Sequence, residues 1–256
     1  MSLVIQNMNI GYRHKTIVNA ISLPDIKPGS VVAVLGANAI GKSTLLKSLA
    51  GLLAFKGQVA LAGQSLASMT HRQRMRDIGY LPQTLPQSTS LVAYELVYCA
   101  FRASQQAFNA NEINARLEEV FQQLGIQDLA LKRMDEMSGG QRQMIGLAQV
   151  LVRQPKLLLL DEPTSALDLH WQLNVLSAIR REAIEHDAIA LVASHDLNLA
   201  LRFCDQLLVL TKGKVLAMGK PQDALTSECL RIAYGIEGRI ESCSQGYPIV
   251  LVDSAC

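Results

Sequence analysis

The chain has 256 residues, 49% of them hydrophobic, and its 24 lysines and arginines nearly balance its 22 aspartates and glutamates. This balance lacks the strong basic excess of a dedicated nucleic-acid binder, so no nucleic-acid partner is expected. No apolar run approaches the ~20 residues that cross a bilayer, and the five cysteines form no Cys-x-x-Cys pair. We therefore expect a soluble, unexported protein in a reducing cytosol, without a disulfide framework or a zinc site.

The first predicted elements are strands. Leu3–Ile10 alternates polar and apolar residues, which predicts an antiparallel strand. Val31–Leu35 is a continuous apolar run with the length of a strand that is buried on both faces.

A loop bounded by glycines follows this second strand and reads Gly36-Ala37-Asn38-Ala39-Ile40-Gly41-Lys42-Ser43-Thr44. Backbone N–H groups of such a loop point at phosphates, and a helix N-terminus adds about +0.5 of a charge. Three leucines at helical spacing predict that this helix begins near Lys42: Leu45, Leu49 and Leu52. The order of strand, loop and helix predicts a nucleoside triphosphate site, with Lys42 against the β- and γ-phosphates and Ser43 as a Mg²⁺ ligand.

A further strand, Ile78–Leu81, precedes Gln83, whose amide suits a Mg²⁺-bound water. From Pro86 onward the pattern becomes helical. Asn109 and Glu112 have the spacing of a capping box, and Gly125 is a plausible helix stop. The helix between them has an apolar stripe made of Ile113, Leu117, Val120, Phe121 and Leu124. This segment is predicted to be a helical insertion in a single core.

A second helix start follows the insertion at Ser138-Gly139-Gly140-Gln141. Ser138 is predicted to be the N-cap, and the two glycines expose backbone N–H groups that can also bind an anion. The apolar face of the helix is formed by Met144, Leu147, Ala148 and Leu151. The chain therefore has two candidate phosphate-binding elements.

Two adjacent carboxylates end the apolar run Leu157–Leu160. Ligands of α/β sheets lie at the carboxyl ends of the strands. Asp161 is the predicted partner of hydrated Mg²⁺, and Glu162 is the candidate general base that accepts a proton from the attacking water.

The run Ala188–Ala193 brings His195 to the same edge of the sheet, where it can bond the γ-phosphate or the attacking water. Downstream, Leu207–Leu210 and Val215–Met218 flank Lys212-Gly213 and predict a hairpin. Apolar runs separated by helical stretches predict a mainly parallel sheet with covering helices.

In order and spacing, these motifs, together with Ser165-Ala166-Leu167-Asp168, resemble the ATP-binding cassette (ABC) ATPases. The resemblance implies a P-loop NTPase core with an antiparallel β portion and an inserted helical subdomain. It divides a single domain into a catalytic core (1–85 and 154–225), the helical insertion (86–153) and a C-terminal extension (226–256).

The resemblance also implies a homodimer that clamps two ATP molecules, with Lys42 of one copy facing Ser138 and Gly140 of the other. Tyr12 would stack on adenine, Asp168 would contact the opposite copy's ATP, and Gln83 would report the nucleotide state. The insertion would bind one of two separate transmembrane permease subunits at the cytoplasmic face of the inner membrane.

A finer likeness lies in His195-Asp196-Leu197-Asn198-Leu199-Ala200 and in the tail from Tyr234-Gly235-Ile236 to Tyr247-Pro248-Ile249-Val250. These segments resemble the ATPases that energise uptake of iron-siderophore, heme or cobalamin, which implies a periplasmic or lipid-anchored substrate-binding protein as a further partner. An ATPase for export or for other metal uptake is the alternative, and a cassette protein acting on nucleic acid has only the cluster at Arg72, Arg74 and Arg76 in its favour.

Four positions depart from the family pattern. Met137 replaces the common leucine before Ser138, an apolar exchange that we expect to be tolerated. Ala39 stands where glycine is usual and Ile40 where a small residue is usual, so we expect a stiffer loop and a lower nucleotide affinity. Met144 stands where arginine is frequent, which predicts the loss of one surface charge.

Overall fold

The computed structural model describes residues 2–12, 15–85, 89–104 and 109–256. The strands of this part of the chain are β1 (Leu3–Tyr12), β2 (Lys15–Ile26), β3 (Val31–Leu35), β4 (Phe55–Leu61), β5 (Gln64–Ser65), β6 (Ile78–Leu81), β7 (Leu157–Asp161), β8 (Ile189–Ala193), β9 (Gln206–Thr211), β10 (Lys214–Gly219), β11 (Ile236–Ser242) and β12 (Pro248–Ala255). The α-helices are α1 (Lys42–Leu49), α2 (His71–Asp77), α3 (Ala93–Ala103), α4 (Ala110–Leu124), α5 (Gly139–Leu151), α6 (Leu169–Glu185), α7 (Leu197–Phe203), α8 (Pro221–Ala224) and α9 (Ser227–Tyr234).

The central sheet has the strand order β10-β9-β3-β8-β7-β6, with β10 antiparallel and the other five strands parallel. All residues of β3, β7 and β8 are buried, as their continuous apolar runs predict. Side chains of β3 alternate between two hydrophobic clusters, because successive residues of a strand point to opposite faces. The sheet is therefore covered on both faces.

One face of the central sheet packs against α1 and a second, antiparallel sheet with the order β2-β1-β4-β5. The other face packs against the helices that follow β6, including α5 and α6. The C-terminal residues add α9 and the two-stranded sheet β11-β12. The predicted class is confirmed: an α/β fold with a parallel-rich sheet and separate antiparallel sheets.

Local signals placed the helix ends correctly in the insertion. Asn109 caps α4, accepting a hydrogen bond from the backbone N–H of Glu112, while the Glu112 carboxylate accepts one from the N–H of Asn109. Gly125 ends the helix with a φ of 68°. The predicted hairpin across Lys212-Gly213 is also confirmed, as β9 and β10.

Leu52 was assigned wrongly to the apolar face of the first helix. The helix ends at Leu49, and Leu52 lies beyond it with 62% of its surface exposed. The turn at Gly51, with a φ of 79°, redirects the chain before the helical spacing can continue. Among the described residues, no helix combines the length and hydropathy needed to cross a membrane.

Candidate active site

The sheet gathers the predicted site residues at one edge, because the carboxyl ends of parallel strands lie together. The loop after β3, Gln83 after β6, Glu162 after β7 and His195 after β8 line one open cavity of about 450 Å³. The described residues that line it are Asn38, Ala39, Ile40, Gly41, Lys42, Ser43, Thr44, Gln83, Glu162 and His195.

Lys42 is the first residue of α1 and is buried at the base of this loop. Its Nζ donates to the carbonyl oxygens of Gly36, at 2.7 Å, and Ala37, at 3.2 Å. Burial lowers the pKa of Lys42, although the nearby carboxylates of Glu162 and Asp161 act to raise it. A buried ammonium whose hydrogen bonds to the described residues go to carbonyl oxygens is well suited to bind a polyanion.

Asp161 lies beside Ser43 at the same edge. The Ser43 hydroxyl donates to Asp161 Oδ1 at 2.9 Å, and Asp161 is 2% exposed. Burial raises the pKa of Asp161; Glu162 adds to this effect, whereas the Ser43 hydrogen bond opposes it. A buried carboxylate next to a hydroxyl offers the hard oxygen atoms that Mg²⁺ prefers.

The donor set fits a Mg²⁺ ion that is held in part by phosphate oxygens. Among the described residues, no group of three or more His, Cys, Asp or Glu could hold a metal by itself. Mg²⁺ is commonly bound through one or two carboxylates plus substrate phosphates, so the pair Ser43–Asp161 suffices as the protein's share.

Glu162 lies between two other predicted site residues, Gln83 and His195. Gln83 Nε2 donates to Glu162 Oε2 at 2.8 Å, and His195 Nδ1 lies 3.6 Å from the same oxygen. Glu162 has a φ of 53°, and its N–H donates to the carbonyl of Ala193 on β8. An unfavourable backbone conformation that is retained beside a cavity favours a functional role for the residue.

Gly36 and Ala37 were predicted to bind nucleotide, but the lining of the cavity begins at Asn38. The N–H of Gly36 donates to the hydroxyl of Tyr234, at 2.9 Å. In the structure, the N–H of Gly36 therefore points at a group of the chain itself and away from the cavity lining. Sequence reasoning missed Tyr234, because an aromatic residue at the end of a remote helix carries no local signal of such a contact.

Ser138 is the N-cap of α5, as predicted, and forms a capping box with Gln141. A second cavity of about 460 Å³ lies here, and its lining consists of Leu129, Ser138, Gly139, Gly140, Gln141, Met144, Ala166, Leu167, Asp168 and Trp171. Among the described residues, none lines both cavities. Within one copy of the chain, Ser138 and Lys42 therefore line different cavities.

Three other residues named from the sequence, Asp168, Tyr12 and Met144, lie in different environments. Asp168 caps α6, accepting a hydrogen bond from the N–H of Trp171 at 3.0 Å. Tyr12 ends β1 and is 47% exposed, as a stacking platform requires. Met144 is only 2% exposed and packs in the core, which confirms its predicted place on the apolar face of α5.

The two substitutions in the loop differ in their backbone geometry. Ala39 has a φ of 59°, in the left-handed region that favours glycine. Ile40 is half-buried, and a Cβ at Gly36 would approach its side chain to 3.0 Å. Of the two positions, Ala39 is therefore the one with a strained backbone.

Comparison with known proteins agrees with this geometry. The sequence model of the ABC transporter family matches residues 18–165, more than half of the chain. The chain belongs to this family. This ABC ATPase is 36% identical to the hemin import ATP-binding protein HmuV of Bordetella avium over 248 residues, which cover 94% of each chain.

Solved structures resemble this ABC ATPase over most of its length. An inward-facing ABC transporter described as of the metal-chelate type is 25% identical, with a TM-score of 0.81, and the match covers 98% of this chain and 97% of that one. CbiO1 of Clostridium perfringens, part of the ABC transporter complex CbiONQ, is 28% identical, with a TM-score of 0.73 and coverage of 86% and 89%.

The basic cluster on α2 is largely engaged within the ABC ATPase itself. Arg76 pairs with Asp77 at 2.9 Å, and Arg74 donates to the carbonyl of Leu66. Two of the three arginines of this cluster therefore have partners within the chain.

Proposed function

We propose that this ABC ATPase energises an importer of iron-siderophore, heme or cobalamin type substrates across the inner membrane. Support comes from the identity to HmuV along almost the whole chain and from the likeness to the metal-chelate type transporter. The proposed location is the cytoplasmic face of the inner membrane, as a peripheral subunit.

The observation that carries the chemistry is the grouping of Lys42, Gln83, Glu162 and His195 around one cavity. Glu162 orients the attacking water and accepts its proton, while Gln83 and His195 hold the carboxylate from two sides. Lys42 binds the β- and γ-phosphates, and the loop residues Asn38–Thr44 enclose them.

Ser43 and Asp161 are the proposed protein ligands of Mg²⁺, with Gln83 contacting a metal-bound water. When bound, Mg²⁺ would neutralise charge on the phosphate oxygens. The ion would also compensate the buried carboxylate of Asp161, whose raised pKa records the cost of its burial.

We further propose that ATP is bound between two copies of the chain. The separation of the two cavities supports this arrangement, because Ser138, Gly139, Gly140 and Gln141 line a surface apart from Lys42. In a head-to-tail pair, each phosphate loop would face the partner copy's Ser138 cavity. Two equivalent sites would then lie in one symmetric interface.

Two more residues complete each proposed ATP site. Tyr12 stacks on the adenine, and the exposure of its ring supports this role. Asp168 lies with Ser138 in the second cavity, so it would approach the nucleotide of the partner copy.

The proposed partners are two separate transmembrane permease subunits and a periplasmic or lipid-anchored substrate-binding protein. Residues 86–153 would contact the permease, while residues 1–85 and 154–225 perform the catalysis. Gln83 stands between the two functions, because it bonds Glu162 and lies just before the insertion. Binding of ATP would close the pair, and hydrolysis would let it reopen.

The test is transport by a reconstituted complex. The chain is co-expressed with the membrane subunits that copurify with it, placed in liposomes, and assayed for ATP-dependent accumulation of heme, a ferric siderophore and cobalamin. Glu162→Gln in the same complex is the matched control and should accumulate none of them. Outward movement of the substrate would indicate an exporter, and accumulation of a free metal ion alone would exclude the proposed substrate class.

A further inference from the structure

Gly36, the first residue of the phosphate loop, forms a hydrogen bond with the C-terminal extension. The backbone N–H of Gly36 donates to the hydroxyl of Tyr234 at 2.9 Å, across 198 residues of sequence. Gly36 is buried, so this N–H would lose its hydrogen bond if the hydroxyl were removed. The contact joins the start of the loop to the end of α9.

Gly36 is held from both sides. Tyr234 binds the N–H on one side of its Cα, and the carbonyl on the other side accepts from Lys42 Nζ at 2.7 Å. Its φ is 140°, and an added Cβ would lie 2.5 Å from the carbonyl oxygen of Leu210. The two hydrogen bonds therefore fix the orientation of successive peptide groups where the strand becomes the loop.

The extension holds Tyr234 in place by burial and by hydrogen bonds. In α9, Cys229, Leu230 and Ala233 are buried, and the helix packs against β9, the strand next to β3. The N–H of Cys256 donates to the carbonyl of Gly235 at 2.8 Å, which returns the end of the chain to the residue after Tyr234. The backbone at Tyr234 is thus held in position by packing and by a hydrogen bond at the next residue.

We propose that Tyr234 is a positioning residue, which holds the phosphate loop in its nucleotide-binding shape through Gly36. The C-terminal extension would in this way contribute to ATP affinity without touching the nucleotide. The inference rests on the proposed nucleotide site at residues 36–44.

The expected change in the Kd for ATP depends on the fraction of molecules whose loop has the binding-competent shape. If losing the hydroxyl leaves the loop correctly shaped in only a tenth to a fifth of molecules, the measured Kd for ATP rises about five- to tenfold. Saturating ATP selects the correct shape again, so the KM for ATP should rise while kcat stays within about twofold.

The experiment compares Tyr234→Phe with Tyr247→Phe in the full chain. Tyr247 lies in the same extension, is 43% exposed, and places its ring against Arg202. The Kd for ATP is measured by titration calorimetry, steady-state kinetics give KM and kcat, and hydrogen exchange is followed for a peptide that contains Gly36. Thermal unfolding checks that each variant is folded, and Tyr234→Met replaces Tyr234→Phe if that variant is not.

We expect Tyr234→Phe to raise the Kd and KM and to speed exchange at Gly36, whereas Tyr247→Phe behaves as the wild type. A lowered Tm with unchanged Kd and unchanged exchange at Gly36 would mean that Tyr234 serves only stability, which overturns the inference. Lys42→Ala tests the site itself: wild-type ATP binding by that variant would refute the nucleotide site. Loss of binding in Lys42→Ala with no effect of Tyr234→Phe would refute only the role of Tyr234.

Discussion

Replacing Ala39 by glycine should stabilise the protein. Ala39 has a φ of 59° and an exposed side chain, so glycine relieves backbone strain and removes little packing. A left-handed backbone conformation costs a non-glycine residue about 1–2 kcal/mol. Glycine also makes the unfolded chain more flexible, which lowers the free energy of unfolding by about 0.4–1 kcal/mol and offsets part of this gain. The net gain is about 0.5–1 kcal/mol, equivalent to a rise in Tm of about 1–4 °C for a chain of this size.

Ala62 provides a matched control for this substitution. It has a φ of 51° in the exposed turn between β4 and β5, outside the cavity that Ala39 lines. Ala62→Gly should raise Tm by a similar amount, because the same strain is relieved. Only Ala39→Gly should tighten ATP binding, by about 5- to 30-fold if all of the 1–2 kcal/mol of relieved strain opposes the bound shape.

Scanning calorimetry and ATP titration of the two variants test both statements. A lower Tm in both variants would refute the strain argument itself. A higher Tm in both, with an ATP Kd for Ala39→Gly equal to that of the wild type, would show that the loop carries the same strain with and without nucleotide. In that case the expected loss of nucleotide affinity at Ala39 would be wrong.

Three further predictions concern the proposed chemistry and assembly. Glu162→Gln should keep ATP binding and lower turnover at least ~100-fold, as loss of a general base does; a phosphate-release assay near the wild-type rate would remove Glu162 from that role. ATP should convert the Glu162→Gln protein to dimers, and Ser138→Arg added to it should abolish them; light scattering that shows monomers throughout would contradict shared sites. Burial raises the pKa of Asp161, so its contribution to stability is full below the ordinary value of 3.8 and is lost as the pH rises through the raised value. Without nucleotide and Mg²⁺, Asp161→Asn should therefore have a higher Tm than the wild type at neutral pH but not near pH 3, and a lower Tm at neutral pH would refute this.

Most of the fold and of the candidate site could be predicted from the sequence, because their signals are local. The loop after β3 is one contiguous segment. Its glycines predict the turn, and Lys42 and Ser43 predict that it binds phosphate and Mg²⁺. Asp161 and Glu162 follow a run of leucines, so a buried strand and its polar end appear together. Parallel strands then bring these separate ends to one edge without further information.

Two positions show how one pattern can mislead where a second local signal is present. The helical spacing places Met144 on the apolar face of α5, where the structure buries it, whereas the family likeness associates this position with a surface charge. Leu52 continues the spacing of the first helix, but the turn at Gly51 ends that spacing.

The sequence by itself determined the strands and helices that carry the site, the triphosphate chemistry and the family, because backbone propensities and motif residues act over a few neighbours. Only the tertiary structure decided that the N–H of Gly36 bonds to Tyr234 and that Ser138 lies in a cavity apart from Lys42. Contacts between residues far apart in the chain depend on the packing of whole elements, and no local pattern specifies which hydroxyl meets which amide.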